Sequence, residues 1–262
     1  MLSLPHSGTA IPATEHPLYA ADLERLVLLG DLYVDLLYQA AASLGICVVR
    51  TPYSRFLVDL NRLPDDLSPA SAEGAKSRKA NGYHGTRGVL WSVTPSGEPM
   101  YLHPLTTEHV EARLRTYYYP YHQALSQHLR RLRDRFGYAI LIDGHSMPSM
   151  SVGLRPQPRP HIIPGDLLGQ SCAPALRNFV EDYWRGCGRT VQSNRPYQGG
   201  AITRTHGAPA DGIHAIQIEI SRALYMDERT FQLNRTFTRT RQECTAFLEA
   251  LSSLNLARIR AV

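Results

Sequence analysis

The chain has 262 residues, 43% of them hydrophobic, with a formal net charge of +5 and a pI of ≈ 9.1. That is enough chain for a sizeable core, while the lack of any apolar run of about 18 residues and of a basic-then-apolar leader in MLSLPHSGTA argues against a membrane span or a secretion signal, so a soluble cytoplasmic protein is expected. Cys47, Cys172, Cys187 and Cys244 form no CxxC pair, which disfavours a thiolate zinc site and a disulfide scaffold. The arginines are interleaved with acids instead of forming a block, so nucleic acid is not the favoured partner. A small anionic substrate suits them better, because a guanidinium matches a carboxylate in a bidentate way.

In chain order, LSLP reads as a short strand that leads into His6, Ser7 and Gly8. From Asp31, DLYVDLLYQAAASLG carries an apolar helical stripe ending at Gly45, with Asp31 at the cap or first turn. ICVVRTPYSRFLVDLNR reads as a strand over Ile46 to Val49, a turn, and a second short strand ending in Asp59, Asn61 and Arg62. Residues 64–88 are rich in Pro, Gly, Ser and charge and are expected to form a long surface loop. TEHVEARLRTYYYPYHQALSQHLRRLRDRFG follows as one or two helices interrupted near Pro120. YAILID gives a central strand reaching toward His145, and the proline-rich stretch from Met147 to Gly169 reads as loop.

PALRNFVEDYWRGCG has the pattern of a helix, the glycine pair of YQGGAITRTHG marks a loop or strand edge, and HAIQIEISRALYMDE alternates as a strand carrying Glu219. The tail from Glu228 to Val262 looks helical and amphipathic. Strands and helices alternate throughout, which predicts a three-layer α/β fold in one domain, residues 1–262, without repeats.

Water attacks an amide slowly at neutral pH, and a metal that acidifies the water and polarises the carbonyl removes that obstacle. Zinc suits the task with three His and carboxylate ligands and an open position. His6 after the first strand, Asp31 at the helix start and His145 at a later strand tip form such a set. Each has an ordinary reading alone, as a hydrogen-bonded histidine or a helix cap, and only the combination points to a site. Glu219 adds to it, because a glutamate in the apolar run AIQIEI is costly to bury without a partner or a task. A general base beside the attacking water is such a task.

Together PHSGTAIP, DLYVDLLY, YSRFLVDLNR, PYHQAL, LIDGHSMPS, GDLLGQSCAP, NRPYQGGAITRTHG and IQIEISRALYMDE resemble the N-formylglutamate amidohydrolase family over His6 to Glu228. The resemblance implies a three-layer α/β/α sandwich with a mixed central sheet, zinc-carboxypeptidase-like (phosphorylase/hydrolase-like). It also implies hydrolysis of N-formyl-L-glutamate to formate and L-glutamate, the last step of one histidine degradation route. By the same resemblance His6 and His145 are metal ligands and Glu219 is the catalytic glutamate. The carboxypeptidase pattern has a glutamate three residues after its first histidine, where this chain has Thr9; the missing carboxylate is assigned to Asp31, with Asp35 as the alternative. Zinc is the implied cofactor, with another divalent metal as the alternative.

The substrate is a dianion, for which Arg55 and Arg62 are the first clamps and Arg204 and Arg222 the second. Each of these arginines also has an ordinary reading as a salt bridge or solvated surface group. Asp59, Asn61 and Asp143 are expected to orient neighbours, and Asp166 to support a loop. Ser221 and Tyr33 depart from the family's usual Asn and His. Two other readings stand beside this one: an amidase for a different N-acyl amino acid on the same site, and a non-catalytic or nucleic-acid-binding protein on the same fold.

Overall fold

The computed structural model describes residues 1–76 and 86–254. Five strands, β1 (Leu2–Leu4), β2 (Val48–Arg50), β3 (Ala139–Met147), β4 (Ile162–Gly165) and β5 (Ile213–Ser221), form one sheet in the order β2-β1-β3-β5-β4. β1 runs parallel to β3, and β3 runs parallel to β5 from Ala139↔Ile213 to Met147↔Ser221. β4 pairs antiparallel with β5, so the sheet is mixed, as expected. The runs AILI and HAIQIEI form strands at its centre because residues buried on both faces must be apolar nearly throughout. Gly144 is needed in β3 for packing: a Cβ there would lie 2.8 Å from Leu4 and 3.1 Å from Tyr38.

Seven α-helices accompany the sheet among the described residues: α1 (Leu23–Val27), α2 (Val34–Leu37), α3 (Thr107–Arg113), α4 (Tyr119–Phe136), α5 (Pro174–Gly186), α6 (Ala201–His206) and α7 (Phe237–Ser252). α2 packs on α7 and β3, α5 on β4 and α6 on β5. Trp184 of α5 stacks on Phe247 of α7 at 5.7 Å. Among the described residues no helix is long and apolar enough to cross a membrane.

By its contacts the chain divides into two compact units, one of Met1–Leu4, Tyr33–Val49 and Leu125–Val262, the other of Pro5–Leu32 and Arg50–Ala124. The first holds nearly all of the sheet with α5 to α7. The second is built largely from turns around a buried ion pair. There Arg113 donates to Glu15 at 2.7 Å, to the Leu57 carbonyl at 3.0 Å and to the Tyr101 hydroxyl at 3.0 Å. His109 also meets Glu15, at 2.8 Å.

Several elements differ from the sequence expectation for identifiable reasons. The helix expected from Asp31 begins only at Val34, because Tyr33 takes a left-handed φ of 64°, which no helix continues through, and the helical stripe persists only as α2 and a 3-10 turn over Gln39–Ala41. The second strand before Asn61 is instead a series of turns with isolated bridges, Gly8↔Ser54 and Ala10↔Tyr53. Near Pro120 the helix does not break; a π-helical stretch over Leu114–Tyr118 joins α3 to α4 and accommodates the proline's missing donor. The proline-rich stretch hides β4, which tolerates Pro164 because it is an edge strand. The glycine pair Gly199 and Gly200 lies in loop, one of its two expected readings, and leads directly into α6. Of the expected loop over 64–88, residues 77–85 lie outside the described residues, as does the tail from 255 onward.

Candidate active site

Two residues past β1, His6 is buried, and its carbonyl accepts the Asp31 N–H at 3.0 Å. That bond, with the left-handed turn at Tyr33, holds Asp31 inside instead of at a helix cap. Its Oδ2 lies 3.5 Å from His6 Nδ1. The other ring nitrogen, Nε2, meets Asp59 Oδ1 at 2.8 Å. Asp59 is itself gripped by donors: Asn61 N–H reaches Oδ1 at 2.9 Å, while Arg55 Nη2 and Trp91 Nε1 reach Oδ2 at 2.6 and 2.9 Å. Burial pushes the Asp59 carboxyl up, but Arg55, His6 and Arg62 outweigh it and hold it well below the usual carboxylate range. An ionised carboxylate only accepts, which puts a proton on His6 Nε2 and makes Nδ1 the ring nitrogen that faces Asp31.

His145 repeats the arrangement on β3. The strand runs on to Met147, so this histidine lies within it and not past its tip. Its Nε2 is 2.9 Å from Asp143 Oδ2, and Asp143 Oδ1 accepts the Ser3 hydroxyl at 2.8 Å across the β1–β3 register. Residues two apart on a strand share a face, so Asp143 can orient His145 as the sequence suggests. Outer carboxylates of this kind fix the tautomer and ring orientation of metal-ligating histidines. His6, Asp31 and His145 each offer one ligand atom, and these atoms lie within 4.8 Å of one another, all three residues being buried. Asp35, half-buried in the first turn of α2, is not in this group.

Glu219 lies buried on β5, opposite His145 in the strand register. Its Oε1 accepts the Gln217 side-chain amide at 2.8 Å. The arginines are placed unequally. Arg55 is engaged with Asp59 and its guanidinium lies 4.9 Å from the centre of the Trp91 ring. Arg62 is half-buried and donates to the Arg87 carbonyl at 2.8 Å. Arg222, buried just past β5, donates to Ser146 Oγ at 3.3 Å, whereas Arg204 is exposed on α6. Asp166 is fully buried and organises a loop, accepting from Asn194 at 2.8 Å, Gly169 N–H at 3.0 Å and Arg177 at 3.2 Å.

A profile of the family described as N-formylglutamate amidohydrolase matches residues 1–226. The chain belongs to the N-formylglutamate amidohydrolase family. It is 34% identical over 231 residues to an N-formylglutamate deformylase of Pseudomonas putida, an alignment covering 87% of this chain and 82% of the relative. A second relative of that name, from Pseudomonas aeruginosa, is 32% identical over 234 residues, again with 87% and 82% covered. Among solved structures, the N-formylglutamate amidohydrolase from Ralstonia eutropha JMP134 superposes with a TM-score of 0.85 at 31% identity, covering 96% of this chain and 92% of that one.

Within the N-formylglutamate amidohydrolase fold, three polar residues of the site go beyond the sequence expectation. Trp91, a donor to Asp59, carries no local signal, since a tryptophan in VLW reads as core. Ser3 is equally silent in the apolar strand LSL. Gln217 has a signal: it precedes Glu219 by two residues, the spacing that links Asp143 to His145.

Proposed function

We propose that this chain hydrolyses N-formyl-L-glutamate to formate and L-glutamate, using a divalent metal, zinc in the first instance, held by His6, Asp31 and His145. The observation that carries the reading is the convergence of His6, Asp31 and His145, all buried, whose ligand atoms lie within 4.8 Å of one another, with a buried carboxylate at the Nε2 of each histidine to orient its ring. Two neutral imidazoles and one carboxylate suit zinc with a position left open. When bound there, a divalent metal supplies Lewis acidity, acidifying water and polarising the formyl carbonyl. The same reading makes the whole chain one functional domain and places the reaction at the end of histidine degradation in the cytoplasm.

The chain's own residues supply the rest. Glu219 takes the proton of the attacking water and returns it to the departing amine, a role that requires a carboxylate shielded from bulk solvent. Asp59 and Asp143 hold the two imidazoles in one tautomer. Arg62 and Arg222 are the first choices for the substrate carboxylates, because Arg55 already serves Asp59 and Arg204 points to solvent. Selectivity then lies in the glutamate moiety, since the formyl group offers little surface to recognise.

A substrate panel tests this reading. N-formylglutamate should be deformylated about 100-fold faster, as kcat/KM, than N-formylnorleucine, because the norleucine side chain cannot accept the hydrogen bonds that an arginine-lined subsite offers. Arg62→Ala should raise KM without loss of bound metal. Equal rates on both substrates, or faster cleavage of N-acetylglutamate, would move the activity to another N-acyl amino acid.

A further inference from the structure

β3 and β5 run in parallel register with Asp143 opposite Gln217 and His145 opposite Glu219. Each strand therefore presents, at the same two levels, a polar residue followed two positions later by a functional one. On β3 the lower residue contacts the upper one at 2.9 Å, Asp143 Oδ2 to His145 Nε2. On β5 it does so at 2.8 Å, Gln217 Nε2 to Glu219 Oε1. All four side chains are buried.

The chemistry of the lower residue is matched to its partner. An imidazole that must keep its proton on Nε2 needs an acceptor, and Asp143 supplies one. A carboxylate that must stay charged and aimed needs a donor without a charge of its own, and a primary amide is such a donor. A carboxylate at position 217 would oppose ionisation of Glu219, and an apolar side chain would leave the buried Oε1 without this donor. We propose that Gln217 is the positioning residue of Glu219: its amide fixes Oε1 and sets the plane of the carboxylate. The inference rests on the reading of Glu219 as the general base.

The test compares Gln217→Met, which keeps the volume and removes the donor, with Gln217→Asn, which keeps the amide but withdraws it by one methylene. Steady-state formate release from N-formylglutamate, bound metal and the unfolding midpoint are measured for each, with Glu219→Gln and the Glu219→Gln/Gln217→Met double variant alongside. Both Gln217 variants should lose about 10- to 100-fold in kcat, the scale of one hydrogen bond to a charged group. KM should change less than about twofold and metal content should be unchanged, a split that a purely structural role would not produce. In the Glu219→Gln background, Gln217→Met should cost nothing further. Wild-type kcat in either folded Gln217 variant, or a loss that tracks metal content or the unfolding midpoint, would overturn the proposal. Full activity of Glu219→Gln would overturn the parent reading, and this one with it.

Discussion

Asp59 shows how much of a candidate metal site can be organised by a residue outside the group of possible ligands. It accepts from His6, Arg55, Trp91 and the Asn61 backbone at once, so its charge is spent on orienting one imidazole. Replacing it with asparagine removes that charge and sets an amide against donors that need an acceptor. Asp59→Asn should weaken metal affinity by about 10- to 100-fold, read by competition with a chromophoric chelator. Unchanged affinity would mean that His6 does not depend on Asp59 for its tautomer. At this scale the sequence offers residue types and spacing but not partners. His6, Asp31, His145 and Glu219 are legible because each is a polar group where a strand or helix start is otherwise apolar. The division of labour among the arginines is not legible, because Arg55 meets Asp59 within a turn whose shape the residues around it do not announce.

The elements that formed within their expected stretches, β1, β3, β5, α5 and, over Phe237–Ser252 of the expected helical tail, α7, have local pattern and tertiary burial in agreement. Those that did not had a local feature overruled by a longer-range demand. Tyr33 adopts a left-handed backbone that truncates α2, and its hydroxyl donates to the Phe231 carbonyl at 3.0 Å, a partner 198 residues away. β4 is legible only once β5 exists to pair with it. The 3-10 segment Ala13–Leu18 is likewise tied to α3 by Glu15, whose carboxyl burial pushes up while the hydrogen bonds and charge of Arg113 and His109 bring it, on balance, below its usual 4.5. Because the folded value is the depressed one, this pair contributes stability above about pH 4.5 and loses it as pH falls through the folded pKa. Glu15→Gln should cost about 3 kcal/mol near pH 7, since it leaves a buried guanidinium without its counter-charge. Urea unfolding across pH should show that gap closing on acidification; a gap that is constant or widens would contradict the assignment.

For the molecule as a whole, the mixed sheet, the family motifs and the polar groups on β3 and β5 belong to one account. The two long central strands carry His145 and Glu219 at the same level, with Asp143 and Gln217 one level below. His6 follows β1, the neighbour of β3 on its other side, and on the proposed reading this strand order is what joins widely separated motifs in one chemistry. That order is not written in local sequence; the alternation of strands and helices predicts the class, and family resemblance supplies the arrangement. Metal content and formate release from N-formylglutamate, measured together on the protein as purified and on His145→Ala, test the account most directly. One equivalent of divalent metal with turnover, both lost in the variant, is the predicted result. Turnover that persists in His145→Ala, or a wild-type protein that releases formate while binding no metal, would contradict it.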